Sequence, residues 1–212
     1  MIRVLVVDDH TLVRAGLCRL LDAEDDIEVT GETGSGREAV ELCEKLKPDI
    51  VLLDYSLPDM DGLETTSRIV DLKTGARVLI LTMYANEEYA IRVIRAGASG
   101  FVVKGAAPEE LLTAVRKVAR KATYISPDIM DKMVGRMGQP ESESPESNLS
   151  DREMQVLVRL ARGSTTREVA KVLCLSVSTV ETYRSRILEK LSLRNNSDLT
   201  RFAIRRGLID LD

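Results

Sequence analysis

The sequence has no Trp, two Phe and five Tyr among its 212 residues. Aromatic residues make up 3% of the chain and hydrophobic residues 44%, so a buried core must be mainly aliphatic. No apolar run approaches the roughly 18 residues of a membrane-spanning helix, so we expect no membrane partner. The first residues lead straight into a strand-like run and lack the layout of a signal peptide. These absences predict a cytoplasmic protein.

Cysteine and histidine are also scarce. Cys18, Cys43 and Cys174 are scattered and odd in number, which is typical of small core side chains in a reducing compartment. His10 is the single histidine and has no Cys close to it in the sequence. We therefore expect neither a disulfide nor a metal site built from the cysteines.

Negative charge is unevenly distributed along the chain, whose net charge is −4. Residues 1–147 carry 18 Lys and Arg against 26 Asp and Glu, a net charge of −8. Residues 148–212 carry 12 against 8, a net charge of +4. This asymmetry predicts two domains with different partners, of which the basic one is the candidate for binding nucleic acid.

Short aliphatic runs alternate with helix-like segments in the first part of the chain. Such βα alternation predicts an α/β fold with a doubly wound, five-stranded parallel sheet of flavodoxin-like order 2-1-3-4-5. The predicted strands are 3–7, 27–31, 49–54, 77–82 and 99–103. Apolar stripes of the helices between them are Val13, Leu17, Leu20 and Leu21, then Ala39, Leu42, Cys43 and Leu46, and finally Leu111, Leu112, Val115, Val118 and Ala119.

The remainder of the chain predicts a connector and a second, all-α domain. A helix at about 126–136 precedes a stretch at 138–148 that is rich in Pro, Ser and Glu and predicts a flexible linker. Capping boxes at Ser150 and Thr165 open two of four helices, and Gly163 and Gly207 end helices. The four helices are predicted at about 151–162, 166–172, 177–191 and 197–206. We predict domains at 1–123 and 149–212, with the connector at 124–148.

Polar residues end four of the aliphatic runs, and parallel strands bring such ends to one edge of a sheet. They are Asp8 and Asp9, Asp54, Thr82 and Lys104. Acidic oxygens suit Mg²⁺, so we predict Asp8, Asp9, Asp54 and the backbone carbonyl of Ser56 as its ligands. Asp54 can then act as a nucleophile toward phosphorus. Lys104 would neutralise phosphoryl oxygens, and Thr82 would donate a hydrogen bond to them.

The second and third helices of the basic domain are joined by a four-residue turn, which indicates a helix-turn-helix at about 167–186. The outward face of the later helix can read base edges in a major groove. Arg184 and Lys190 lie beside that face and suit phosphate contact or bridging to the first helix of the pair. The pattern alone also fits an ordinary solvated helix. The outward face carries Ser178, Thr182, Ser185, Arg186 and Glu189.

Residues 2–121 resemble a response-regulator receiver domain. The five strand-end residues match the functional positions of that family, and Leu57 to Gly62 resembles its loop after the phosphorylated Asp. Phe101 stands where the family has its switch aromatic. The resemblance implies that a sensor histidine kinase phosphorylates Asp54. It also implies that Thr82 and Phe101 then reorient together.

Residues 149–211 resemble the LuxR/NarL/FixJ-type helix-turn-helix domain. The resemblance rests on Leu149 to Glu153, Arg167 to Ala170 and Leu175 to Leu191. It adds Thr179 and Glu181 to the predicted DNA contacts. The chain departs from the family pattern at Glu181, where Lys is frequent, and at Tyr183, where His is frequent. The preferred DNA sequence therefore cannot be inferred from the wider family.

Further motifs are similar to a narrower subgroup, the GacA/UvrY/SirA/LetA regulators. The motifs are Tyr183-Arg184-x-Arg186, Leu173 to Ser176, Lys104 to Ala107 and Tyr124 to Pro127. This resemblance implies a BarA/GacS-type kinase partner. It also implies control of small regulatory RNA genes, or of virulence and metabolic-switch genes.

Together these features predict a phosphorylation-controlled transcription regulator. We expect double-stranded promoter DNA, a second copy of the chain on activation, and RNA polymerase as partners. A dimer would place two recognition helices about 34 Å apart, with the fourth helix contributing Leu199, Phe202 and Ala203 to its contact. One rival is an Mg²⁺-dependent phosphatase with an aspartyl nucleophile, although we expect at most slow self-dephosphorylation. Another is a phosphorylation-switched module that binds a protein instead of DNA.

Overall fold

A computed structural model describes residues 1–83, 87–137, 149–173, 175–206 and 208–209. The predicted linker at 138–148, Cys174 and Gly207 lie outside the described residues. The chain divides into two units, Met1–Lys132 and Met133–Asp212, which are treated separately below. In the parts of the chain that the structure describes, no helix is long and apolar enough to cross a membrane.

The first unit is built on a parallel sheet in the order β2-β1-β3-β4-β5-β6. Its first five strands have the predicted order, which confirms the doubly wound fold. All five residues of β3 are buried, as expected for a strand that is covered on both faces. The strands are β1 Ile2–Val7, β2 Ile27–Thr33, β3 Ile50–Asp54, β4 Arg77–Thr82, β5 Gly100–Val103 and β6 Tyr124–Ile125.

The sixth strand is a difference from the five-stranded prediction. β6 has only two residues, too few for a periodic pattern to reveal, and the sequence assigns them to the connector. The strand forms because its backbone binds along the outer edge of β5. The Tyr124 amide donates to the Ser99 carbonyl, and the Ser126 amide donates to the Phe101 carbonyl.

Six helices follow the strands, of which α6 crosses from the first unit into the second. Ser35 and Asp61 cap α2 and α3 with their side chains, and Pro108 occupies the first position of α5. The predicted stripe of α1 is only partly buried, because Leu21 is fully covered whereas Val13 is 40% exposed. The helices are α1 Thr11–Asp22, α2 Gly36–Leu46, α3 Gly62–Asp71, α4 Glu87–Arg95, α5 Pro108–Ala119 and α6 Pro127–Met137.

The second unit contains the four predicted helices, with ends that differ by at most one residue. Both capping boxes form, Ser150 with Glu153 and Thr165 with Glu168. Gly163 follows the first of these helices with φ +87°, a left-handed conformation that glycine adopts without strain. The helices are α7 Asp151–Ala161, α8 Thr166–Val172, α9 Val177–Lys190 and α10 Asn196–Arg205.

Candidate functional site

The polar strand ends meet at the carboxyl edge of the sheet. Strand register places Asp54 opposite Leu81, the residue before Thr82, and places Thr82 opposite Val103, the residue before Lys104. The backbone amide of Lys104 donates to the carbonyl of Thr82 over 2.7 Å. Neighbouring parallel strands therefore bring the predicted residues together, as the strand order requires.

Lys104 joins two carboxylates at this edge. Its Nζ donates a hydrogen bond to Asp54 Oδ2 over 2.8 Å and forms an ion pair with Asp8 Oδ2 at 2.7 Å. Both carboxylates are buried. Burial would lower the pKa of Lys104, but Asp54 and Asp8 outweigh burial and raise it, so the ammonium stays charged. Burial raises the pKa of Asp54, against the opposing effect of Lys104.

Asp9 and His10 extend the acidic cluster toward solvent. The His10 amide donates to Asp8 Oδ1 over 2.8 Å, and His10 Nδ1 lies 2.8 Å from Asp9 Oδ1. Possible ligand atoms of Asp8, Asp9, His10 and Asp54 all lie within 4.8 Å of one another. His10 was not predicted as part of this cluster, since no other His or Cys lies near it in the sequence. Its position directly after Asp8 and Asp9 was the available signal.

The donor set of this cluster fits a divalent cation such as Mg²⁺. Carboxylate oxygens are the hard ligands that Mg²⁺ prefers, and Asp8, Asp9 and Asp54 supply them. When ionised, these three carboxylates leave an excess of two negative charges over the single Lys104 ammonium. A divalent ion would balance that excess.

The remaining predicted residues of the first unit lie next to Asp54 in the chain or on strands β4 and β5. The Ser56 amide donates to Asp54 Oδ1 over 3.2 Å, which holds the loop backbone beside the carboxylate. Thr82 is fully buried at the end of β4. Phe101 is also fully buried, on β5 between Ile80 of β4 and Ile125 of β6. The Tyr55 and Tyr89 rings, tilted by 35° with centroids 4.8 Å apart, form a contact that was not predicted from the sequence.

In the second unit, α9 presents a polar face to solvent. The predicted outward residues are exposed, while Val180 and Ile187 on the opposite side are fully buried. The hydroxyl of Thr182 donates to the Ser178 carbonyl, and the hydroxyls of Ser176 and Thr179 lie 2.7 Å apart. The exposed residues of the predicted DNA-contact set are Ser178, Glu181, Thr182, Ser185, Arg186 and Lys190, and Thr179 and Arg184 are half-buried.

Two basic residues of that set bridge to other helices. Lys190 Nζ lies 2.7 Å from a carboxylate oxygen of Glu153 on α7, and the Glu153 side chain is only 3% exposed. Arg184 Nε donates to Asn196 Oδ1 at the start of α10 over 2.7 Å. The sequence had left open phosphate contact or a bridge to α8, the first helix of the pair, whereas the bridges in the structure go to α7 and to the start of α10. Glu153 was recognised as a capping residue but not as the partner of Lys190.

The fourth helix of this unit departs from its expected role. Leu199 and Ala203 were expected to contribute to a dimer contact, but both are fully buried in the single chain. α10 contacts α7, so these side chains serve the core instead of an open surface. Phe202 is half-buried, with the Arg206 guanidinium 5.8 Å from its ring centroid.

Comparison with known proteins agrees with both halves of this arrangement. Residues 4–116 match the response regulator receiver domain, and residues 147–203 match the family of bacterial regulatory proteins of the luxR family. The chain belongs to the LuxR-type response regulators. The two domains of this response regulator imply a kinase partner and promoter DNA.

Relatives that match the full length of the chain identify its subgroup within this family. The response regulator GacA of Pseudomonas aeruginosa is 38% identical over 211 residues, which cover 99% of each chain. The response regulator UvrY of Escherichia coli K12 is 39% identical over 213 residues, covering 100% of this chain and 98% of UvrY. The predicted GacA/UvrY subgroup is thereby confirmed. These relatives are response regulators, so the phosphatase alternative is not favoured.

A solved structure shares the fold of this response regulator. RcsB from Salmonella enterica serovar Typhimurium, bound to promoter rprA in the presence of phosphomimetic BeF3⁻, superposes with a TM-score of 0.71. The match covers 95% of this chain and 97% of RcsB at 24% sequence identity. At that identity the likeness supports the fold alone.

Proposed function

We propose that Asp54 of this response regulator accepts a phosphoryl group from a sensor histidine kinase, and that the phosphorylated protein binds promoter DNA. The observation that carries the proposal is the contact of one ammonium, that of the half-buried Lys104, with the buried carboxylates of Asp54 and Asp8. This arrangement brings a nucleophilic carboxylate, a fixed positive charge and acidic metal ligands together at one edge of the sheet.

In the proposed transfer, an oxygen of Asp54 attacks phosphorus and the bond from phosphorus to the kinase histidine breaks. The displaced imidazole keeps the electron pair of that bond. Lys104 stabilises the negative charge on the phosphoryl oxygens, because its ammonium is held beside Asp54 before transfer. Thr82, at the end of the neighbouring strand, is our candidate to donate a hydrogen bond to the product phosphate.

Mg²⁺ is the proposed cofactor. Asp8, Asp9, Asp54 and the backbone carbonyl of Ser56 would hold it. The bound ion would neutralise charge on the phosphoryl oxygens. The ion would also balance the carboxylates, which otherwise repel an anionic phosphodonor.

The proposed output is a shift between two populations of the receiver domain. The aspartyl phosphate would carry about 1.5 to 2 negative charges in place of the single charge of the Asp54 carboxylate, and its oxygens would reorient Thr82 and then Phe101. The shift favours dimers that bind a promoter through the exposed face of α9 and that contact RNA polymerase. Target genes would include those for small regulatory RNAs. Because its proposed target is promoter DNA, we expect the protein to act in the cytoplasm.

A combined assay tests input and output. The full chain would be incubated with acetyl phosphate and Mg²⁺, and phosphate uptake would be followed by intact-protein mass spectrometry. We expect uptake by the natural protein and by Asp71→Ala, which removes an exposed carboxylate of α3, but none by Asp54→Ala. Phosphate uptake by Asp54→Ala equal to that of the natural protein would refute the site.

The same samples test DNA binding by fluorescence anisotropy with promoter fragments of small regulatory RNA genes. We expect phosphorylation to tighten binding, and we expect added salt to weaken it as counterion release requires. Binding that is insensitive to both phosphorylation and salt would instead favour the protein-interaction module.

A further inference from the structure

The loop after Asp54 holds Ser56 beside the phosphoacceptor and is fastened at both ends. At its start, the Ser56 amide donates to Asp54 Oδ1. The loop closes where the Gly62 amide donates to the Tyr55 carbonyl over 2.8 Å, and Asp61 caps α3 by accepting from the Glu64 amide. These contacts hold the two ends of the loop, and Leu57 and Met60 between them are buried.

Asp59, in the middle of the loop, is bonded to a different element. Its Oδ2 accepts from the Ser35 hydroxyl over 2.8 Å and from the Arg37 amide over 3.1 Å. Its Oδ1 accepts from the Gly36 amide over 3.0 Å. Both carboxylate oxygens therefore bind the first residues of α2, where the helix amides lack partners within the helix. The proposed chemistry does not use Asp59.

Close packing reinforces this connection. A Cβ atom added to Gly36 would lie 3.0 Å from the Met60 carbonyl oxygen and 2.6 Å from the Thr65 hydroxyl oxygen. The start of α2 thus touches the loop backbone at the residue after Asp59. Glycine at position 36 permits this approach, and any larger side chain would push the loop away from α2.

We infer that Asp59 is a positioning residue that fixes the loop against α2 and so keeps the Ser56 backbone in place for Mg²⁺. This inference rests on the proposed function. Metal ligands are commonly held by such outer partners, and a backbone carbonyl can bind a metal only where its loop is held. Asp59 would act on the affinity for Mg²⁺ without touching the ion.

The negative charge of Asp59 offers a competing explanation. Burial alone would raise the pKa of Asp59, but hydrogen bonds from Ser35, Arg37 and Gly36 outweigh it and lower the pKa. Asp59 is therefore an anion at neutral pH and could attract Mg²⁺ through space. Asp59→Asn and Asp59→Ala both remove the charge. Asn keeps one acceptor oxygen, which in the place of Asp59 Oδ2 can still accept from Ser35 and Arg37 and gives up only the Gly36 hydrogen bond, whereas Ala keeps none.

The experiment measures the Kd of Mg²⁺ for the full chain by isothermal titration calorimetry. We expect Asp59→Ala to weaken binding about 10-fold, the lower end for loss of an outer partner, and Asp59→Asn to weaken it by less than about 3-fold. Asp71→Ala should bind Mg²⁺ like the natural protein. At saturating Mg²⁺, the rate of phosphate uptake from acetyl phosphate by Asp59→Ala should return to within 2-fold of the natural rate.

Two results would overturn the inference. Equal weakening by Asn and Ala would assign the effect to charge alone, and unchanged affinity in Asp59→Ala would remove any role. Circular dichroism checks folding. If Asp59→Ala does not fold, the Mg²⁺ affinity of Asp59→Asn decides. A 10-fold weaker affinity would overturn the inference, and an affinity near the natural one would support it. Phosphate uptake by Asp54→Ala contradicts only the proposed function, because the Asp59 variants are judged by calorimetry.

Discussion

The ammonium of Lys190 lies 2.7 Å from a carboxylate oxygen of Glu153, which ties the end of α9 to the first turn of α7. The same Glu153 oxygen accepts from the Ser150 amide in the capping box. One carboxylate therefore fixes both the start of α7 and the position of α9.

Lys190→Met should destabilise the helical unit without removing apolar volume. We expect its free energy of unfolding to fall by about 2 kcal/mol, because a buried charged acceptor loses a partner. Native-state hydrogen exchange of α7 and α9 amides measures this change. Arg186→Met, which alters an exposed cation of the same helix, should stay within about 0.5 kcal/mol. Equal effects of the two variants would show that the bridge contributes nothing.

The stability of the helical unit should depend on Glu153 in acid. Burial would raise the pKa of Glu153, but Lys190 and Ser150 outweigh it and hold the pKa below 4.5, its ordinary value. The stabilisation is therefore complete above about pH 4.5 and is lost as the pH falls through the lowered folded pKa. Hydrogen exchange at pH 6 and pH 4 should show a smaller acid loss in Glu153→Gln than in the natural protein. An identical loss would contradict the assignment.

Gly100→Ala should disturb β6. An added Cβ would lie 2.8 Å from the Tyr124 carbonyl oxygen and 2.6 Å from Leu79 Cδ1, so we expect a loss of about 1–3 kcal/mol from overpacking. Hydrogen exchange of residues 124–130 should accelerate. Gly105→Ala is the matched control, since nothing lies within 4 Å of its added Cβ. Similar exchange in both variants would argue against the close approach.

Arg186→Ala should weaken promoter binding while leaving the fold intact. We expect a loss of about 1–3 kcal/mol if the guanidinium reads a base edge, with a smaller loss on unrelated DNA. Fluorescence anisotropy on both DNA fragments at several salt concentrations measures the difference. A uniform loss on both fragments, with a salt slope reduced by about 1, would assign Arg186 to a phosphate instead.

The sequence could predict what depends on local periodicity and on parallel-sheet topology. Aliphatic runs ending at Asp54, Thr82 and Lys104 implied both the sheet and the meeting of these residues, because strand ends in such folds share one edge. Contacts between distant segments left no local pattern. Glu153 and Lys190 are 37 positions apart, and Ser35 and Asp59 are 24 apart. Their pairing depends on how whole helices pack, which a single sequence does not display.

The short length of β6 has a consequence for association between molecules. Without β6, the four residues of β5 would form the outer edge of the sheet. Unpaired amides and carbonyls along such an edge can recruit strands from another chain. β6 pairs with Gly100 and Phe101 and presents only two residues in their place. The strand therefore protects this side of the receiver against uncontrolled sheet extension and aggregation.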